Sequence, residues 1–315
     1  MTRILKSKSV IITLKVLIST SLFYFLVSKI GIKTIIETIR LLDLSSFIIA
    51  MSIYIASILL SSLRWRLFLS HKLPIKKLFS LYMIGSFFNT YMPGIVGGDA
   101  VKVYYLNKEI KENFPKEKNY DSFLSESVAS VFIDRYIGFF TLLCICLFAF
   151  LFGSKYLKDT SINWIIPLIF ILFIVSSLII FRFRIGERFV FLSNFYNHFQ
   201  KYIERKDTLI KAFFYSIIIQ ISGIFTVFVL SKGMSVGVPF NFLLLFIPII
   251  ILISFLPISL SGIGLREGAF VIFFQTIGIP PHQSMTLSIL WFLSTVTASL
   301  WGLVEYLRYK QKNNA

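Results

Sequence analysis

The sequence predicts an all-α, polytopic membrane protein with about six full transmembrane helices and two broken, re-entrant helical hairpins. Three observations carry this reading: an apolar composition, apolar runs of spanning length, and two segments interrupted by Gly and Pro. Hydrophobic residues fill 56% of the 315 positions and charged residues 15%, against about 45–50% and about 25% in soluble domains. Mean hydropathy is +0.80. A helix needs about 20 mostly apolar residues to cross the hydrocarbon core. Residues 12–27, 47–63, 127–152, 162–181, 209–230, 242–260 and 285–307 read this way. The polar stretches between them are too short for a hydrophilic catalytic domain, so 1–315 reads as one integral membrane domain.

The first run follows Arg3, Lys6 and Lys8. Its core is too long for an ordinary signal peptide and no small-x-small site follows Val27, which predicts a retained helix. Net charge is +17. In a soluble chain that would suggest nucleic acid; here the hydrophobicity excludes it, and positive-inside loops explain the excess. The basic clusters are the N-terminus, Arg64 to Lys77, Lys102 to Lys118, Arg182 to Lys211, and the tail from Arg308 to Lys312.

Simple alternation cannot place all these clusters on one side. The conflict disappears if residues 78–105 enter and leave on the cytoplasmic side. The centre of that segment holds Pro93, Gly94, Gly97, Gly98 and Asp99, which cannot form a continuous lipid-facing helix. Residues 242–278 repeat the problem with Pro257, Gly262, Gly264, Arg266 and Glu267. Treated as a hairpin from the opposite side, this segment leaves both termini cytoplasmic.

The resulting order is helix, helix, hairpin, helix, then the same again inverted. The halves cover 10–152 and 162–307, with broken segments at matching positions as in many transporters. Gly94-Ile95 with Asp99 and Gly262-Ile263 with Glu267 share one spacing. Between the halves, residues at about 184–205 alternate apolar and polar at helical spacing. They read as an interfacial amphipathic helix or, more plainly, as a helix packed on the bundle.

Several motifs stand in order: Ser62-Leu63-Arg64-Trp65-Arg66, Gly85-Ser86-Phe87-Phe88-Asn89, Pro93-Gly94 through Gly97-Gly98-Asp99 to Lys102, Asp134-Arg135 with Gly138, and Pro257-x-Ser259 through Gly262-Ile263-Gly264 to Arg266-Glu267. Together they resemble the flippase-like membrane region of lysylphosphatidylglycerol synthases, over essentially the whole chain. The full-length synthases carry a soluble aminoacyl-transfer domain after this region, and the present sequence has none. The resemblance therefore implies lipid movement between leaflets in a bacterial or archaeal cell membrane, not lysylation. Lys102 stands where many relatives carry Arg, which keeps the charge but loses the bidentate fork.

Ionisable residues inside a membrane are functional candidates because inserting them costs several kcal/mol. Arg266 and Arg135 are expected to bind a lipid phosphate, with Lys102 and Asn89 lining the same path. Asp99, Glu267 and Asp134 are expected to pair with the cations, gate, or carry protons. The plainer alternative is that Asp134 and Glu267 tie helices together and the glycines serve close packing. Arg64 and Arg66 flank Trp65 at a helix end, where snorkelling and aromatic anchoring explain them.

Cys144 and Cys146 point to different helix faces and His71, His198 and His282 lack ligand spacing, so neither metal nor cofactor is predicted. The sequence has no nucleophile–base set and no nucleotide loop, which argues against an enzyme. The competing readings are a translocator of an anionic or polyprenyl-linked lipid, a non-transporting partner of a cytoplasmic lipid-modifying enzyme, and, more distantly, an intramembrane enzyme. Oligomeric state is left open.

Overall fold

The computed structural model describes residues 2–71, 73–91, 97–113, 120–153, 162–256 and 258–314. The described residues form twelve helices and no strand. Six helices are long and apolar enough to cross a membrane: α1 (Thr2–Ile30), α3 (Leu44–Arg66), α6 (Tyr120–Gly153), α7 (Ile162–Phe183), α9 (Lys206–Gly233) and α12 (Pro281–Asn314). The others are α2 (Ile32–Arg40), α4 (Ile75–Tyr91), α5 (Gly97–Asn113), α8 (Val190–Glu204), α10 (Phe240–Ser254) and α11 (Leu265–Gln275). The apolar run at 242–260 is no full span. Its helix α10 has 15 residues, about 22 Å at 1.5 Å per residue, against a core of about 30 Å.

Helices α4 and α5 form the first hairpin. Lys77 meets Glu109 near its open end, and Asn89 meets Gly98 near its tip, so the arms run antiparallel. Pro93 and Gly94 lie outside the described residues. Gly97 and Gly98, expected in the break, instead open α5 as its first two residues. The reason for Gly98 is proximity: a Cβ there would overlap the Gly85 carbonyl oxygen and the Asn89 side chain.

Helices α10 and α11 form the second hairpin, also antiparallel. Phe242 packs on Phe274 at 5.1 Å between ring centroids, and Phe246 on Phe273 at 4.9 Å. The connecting turn holds Ser261, Gly262 and Gly264 at φ of 50°, 77° and 85°. Left-handed backbone of this kind is easiest for glycine. Pro257 lies outside the described residues.

The core is built around α3 and α9. Ser46, early in α3, lies where a Cβ on Gly233, at the end of α9, would clash. Arg64, late in α3, donates to Ser216, early in α9. The two helices therefore run antiparallel in close contact. Many further contacts fall into matching sets: α12 packs on α4 as α6 packs on α10, α11 on α12 as α5 on α6, α2 on α12 as α8 on α6, and α3 on α12 as α9 on α6. Exchanging α1–α6 for α7–α12 maps one set onto the other and maps the α3–α9 pair onto itself. The halves are interlocked, each hairpin packing against a long helix of the other half. Helices α1 and α7 lie at the periphery, with most of their apolar surface open.

Helix α8 begins later than the amphipathic pattern, because Arg184 and Gly186 take left-handed conformations. Its Phe199 and Tyr202 are buried with Phe68, Ile133 and Ala212. Phe199 stacks on Phe181 at 4.0 Å. These contacts pack the apolar face of α8 on α6 and α9.

Candidate functional site

The first hairpin brings together five ionised side chains from three helices. On α6, Asp134 accepts from Arg64 Nε of α3 at 2.7 Å and from the Tyr82 hydroxyl of α4 at 2.9 Å. Arg64 reaches further, its Nη1 donating to Ser216 of α9 at 2.7 Å. One residue along α6, Arg135 grips Asp99 with Nε at 2.9 Å and Nη2 at 2.9 Å. Lys102, one turn after Asp99 on α5, ion-pairs with the same carboxylate at 3.1 Å. Its ammonium also sits over the Tyr82 ring at 4.1 Å and the Trp65 ring at 5.3 Å, an arrangement that stabilises a cation away from water.

Local structure explains why these groups converge. Asp134 and Arg135 are successive residues on α6, so their side chains diverge by about 100° and serve two partners. Asp99 is the third residue of α5, where a carboxylate is favoured by the helix dipole. Gly85 lets the Lys102 stem pass, since a Cβ there would overlap Lys102 Cγ. Asn89 closes the site by accepting from the Gly98 backbone at 2.8 Å, which holds the start of α5 against the end of α4. Its role here is a backbone clamp.

Exposure separates the five. Asp134, Lys102 and Arg64 are buried, Asp99 is 14% accessible, and the Arg135 side chain is 46% accessible. Arg135 is thus the cation of this cluster that an incoming group can reach without displacing a helix.

The second hairpin presents a tighter arrangement. Arg266 and Glu267 pair directly with each other. Glu267 Oε2 accepts from the Gly264 backbone N–H at 2.7 Å, a helix cap made from the third residue of α11. Ser288 of α12 lies 3.2 Å from Arg266 Nε. The guanidinium covers the Phe292 ring at 4.4 Å. Both side chains are enclosed, Arg266 at 10% and Glu267 at 1% accessibility. Asp99 and Glu267 occupy the same position, third in the second arm of their hairpins. Helix α1 braces this turn: Ser19 Oγ accepts from the Leu260 N–H at 2.6 Å, and Gly264 is pressed against Leu22.

The structure therefore groups Asp99, Lys102, Asp134, Arg135 and Asn89 in one site and Arg266, Glu267, Gly262 and Gly264 in another. It corrects the reading of Arg64, which does not snorkel: it is 4% accessible and paired inside the bundle. A cation at the end of an apolar run beside Trp looks like an interfacial anchor. Among the described residues no group of His, Cys, Asp and Glu is arranged to hold a metal.

Compared with known proteins, residues 12–302 match the family described as the lysylphosphatidylglycerol synthase TM region. A UPF0104 membrane protein of Methanocaldococcus jannaschii is 24% identical over 331 aligned positions, covering 95% of each chain.

Proposed function

The chain belongs to the lysylphosphatidylglycerol synthase transmembrane-region family, and from that premise we propose that it is a translocator, not an enzyme. Its substrate is an anionic phospholipid or a polyprenyl-linked lipid, moved between the leaflets of a bacterial or archaeal cell membrane. The observation that carries the reading is the Arg135–Asp99 pair at the tip of a broken hairpin, half open on its Arg135 side. A headgroup crossing the bilayer must have its phosphate charge compensated. A guanidinium held by an exchangeable carboxylate does this by trading one anion for another. Arg266, enclosed by Glu267, Ser288 and Phe292, takes part only if the second hairpin opens.

The matched packing of the two halves and the antiparallel α3–α9 pair support an inverted repeat about an axis in the membrane plane. On this reading the hairpins enter from opposite faces, both termini are cytoplasmic, and transport proceeds by one hairpin loosening while the other stays packed.

The test is translocation of labelled phosphatidylglycerol and labelled polyprenyl phosphate in proteoliposomes, with Arg135→Ala beside the unaltered protein. Headgroup-selective movement that Arg135→Ala abolishes is the expected result. Absence of movement for every lipid by folded protein would instead favour the docking partner of a cytoplasmic lipid-modifying enzyme.

A further inference from the structure

The first-hairpin cluster contains three cations, Arg64, Lys102 and Arg135, and two carboxylates, Asp99 and Asp134. Its formal charge is therefore one positive unit, and among the described residues no further ion pair joins these five. The second cluster, Arg266 with Glu267, is neutral. The excess positive unit lies at the open edge of the cluster, where the Arg135 side chain is 46% accessible, so the cluster can take up one anion there.

The way the odd charge is stored points to how it is used. Asp99 is shared between Arg135 and Lys102. Lys102 Nζ is held by the Asp99 carboxylate at 3.1 Å and by the faces of Tyr82 and Trp65. If Arg135 turns to an incoming phosphate, Lys102 remains to neutralise Asp99. The exchange strands no charge. A phosphomonoester carries about 1.5 to 2 negative charges near pH 7 and would leave the cluster net negative. A zwitterionic or aminoacylated headgroup brings an extra cation, for which the cluster has no spare carboxylate.

From this charge count we infer that the first hairpin is a receptor for a single phosphodiester group carrying one negative charge and no attached cation, as in phosphatidylglycerol. Arg135 is the phosphate ligand and Lys102 the counter-charge that frees it. The inference rests on the translocator reading and narrows its substrate.

The experiment is equilibrium lipid binding to the full chain in nanodiscs, read by native mass spectrometry of retained lipid. The panel holds phosphatidylglycerol, phosphatidate, phosphatidylcholine and aminoacylated phosphatidylglycerol, with soluble glycerophosphoglycerol as competitor. The unaltered protein is expected to retain phosphatidylglycerol at least tenfold over the other three. Lys102→Met makes the cluster neutral and is expected to erase that preference, whereas Lys102→Arg keeps it. Asp99→Asn raises the charge to two and is expected to turn the preference toward phosphatidate. This change is a gain, which misfolding cannot imitate.

The inference is overturned if the unaltered protein prefers phosphatidate or a zwitterion, or if Lys102→Met and Asp99→Asn leave the ranking unchanged. Competition by glycerophosphoglycerol at equal concentration would assign the site to a free phosphodiester and overturn the lipid assignment. Because binding is read without transport, selective binding with no movement in proteoliposomes would sink the translocator alone. Movement without headgroup ranking would sink the receptor alone.

Discussion

The two hairpins share a plan and differ in what their charges hold. In the first, the ion pairs made by Asp134 and Arg135 cross between helices, α3 to α6 and α5 to α6, with α4 and α9 attached through Tyr82 and Ser216, while Lys102 and Asp99 pair within α5. In the second, Arg266 and Glu267 are neighbours in sequence, and Glu267 caps its own helix. The first set of charges ties helices by ion pairs; the second pairs within one turn and reaches α12 only through Ser288 and Phe292. Identical residue types inside a membrane thus do different work according to whether their partners lie on the same element. Movement of helices relative to one another breaks ion pairs in the first arrangement, and in the second only the contacts of Arg266 and Glu267 with Ser288 and Phe292 of α12.

The largest expected effect tests that difference directly. Asp134→Ala strands Arg64 inside the bundle, and breaking a buried pair by removing one partner costs about 3–5 kcal/mol. Thermal unfolding in detergent should show a large loss for the whole protein. Glu267→Ala leaves Arg266 with Ser288 and the Phe292 ring, so it should loosen the segment around residues 258–268, read by hydrogen exchange, with a smaller fall in global stability. Equal global losses from the two would break the comparison.

Next come the glycines. Gly98→Ala forces a Cβ into the Gly85 carbonyl, and overpacking costs about 1–3 kcal/mol. Because backbone meets backbone, the arms of the first hairpin must separate, and Asn89 loses its bond to Gly98. Cysteine crosslinking between α4 and α5 should fall in yield. Gly264→Ala places a side chain at φ 85° against Leu22. The left-handed conformation alone costs about 1–2 kcal/mol, and the change should appear as faster exchange in α1 as well as α11.

Much of this organisation was legible in the sequence. Apolar run lengths gave the spans, and the two Gly/Pro breaks, the first with its basic flanks and the second with the basic C-terminal tail, gave the hairpins, because both are consequences of the bilayer as a solvent. The nearness of Asp99 to Arg135 and of Arg266 to Glu267 could be anticipated from charge alone. Arg64 could not be assigned, because its partners lie 70 and 152 positions away in the chain. Nothing local distinguishes a buried cation at a helix end from a snorkelling one. The bracing of Gly264 by α1 was hidden for the same reason: Ser19 looks like any small polar residue in a spanning helix.

Ser19→Ala removes the acceptor for the Leu260 N–H, a single hydrogen bond worth about 1 kcal/mol. Its signature is local. Exchange at Leu260 should accelerate, while the Arg64–Asp134 side of the molecule stays protected.

The smallest effect lies at the far end of the α3–α9 pair and extends the comparison to how each helix starts. Asp43 caps α3, accepting from the backbone N–H groups of Ser45 and Ser46 at 3.2 and 3.3 Å. Its own N–H donates to the Gly233 carbonyl of α9 at 3.0 Å. Helix α9 begins after Arg205 with no side-chain cap. The Ser45 hydroxyl, followed by the Ser45 backbone and then the Ser46 hydroxyl and backbone, holds the Asp43 carboxyl below its ordinary value of 3.8. A carboxylate with a lowered folded value stabilises the fold above its unfolded value and loses that contribution as pH falls through the folded one. The melting-temperature gap between unaltered protein and Asp43→Ala should therefore be full at neutral pH. It should shrink on acidification below the ordinary value as the carboxyl protonates. A gap that stays constant across that range would mean that Asp43 acts through its backbone bond to Gly233 and its shape, and that its charge contributes nothing to the cap.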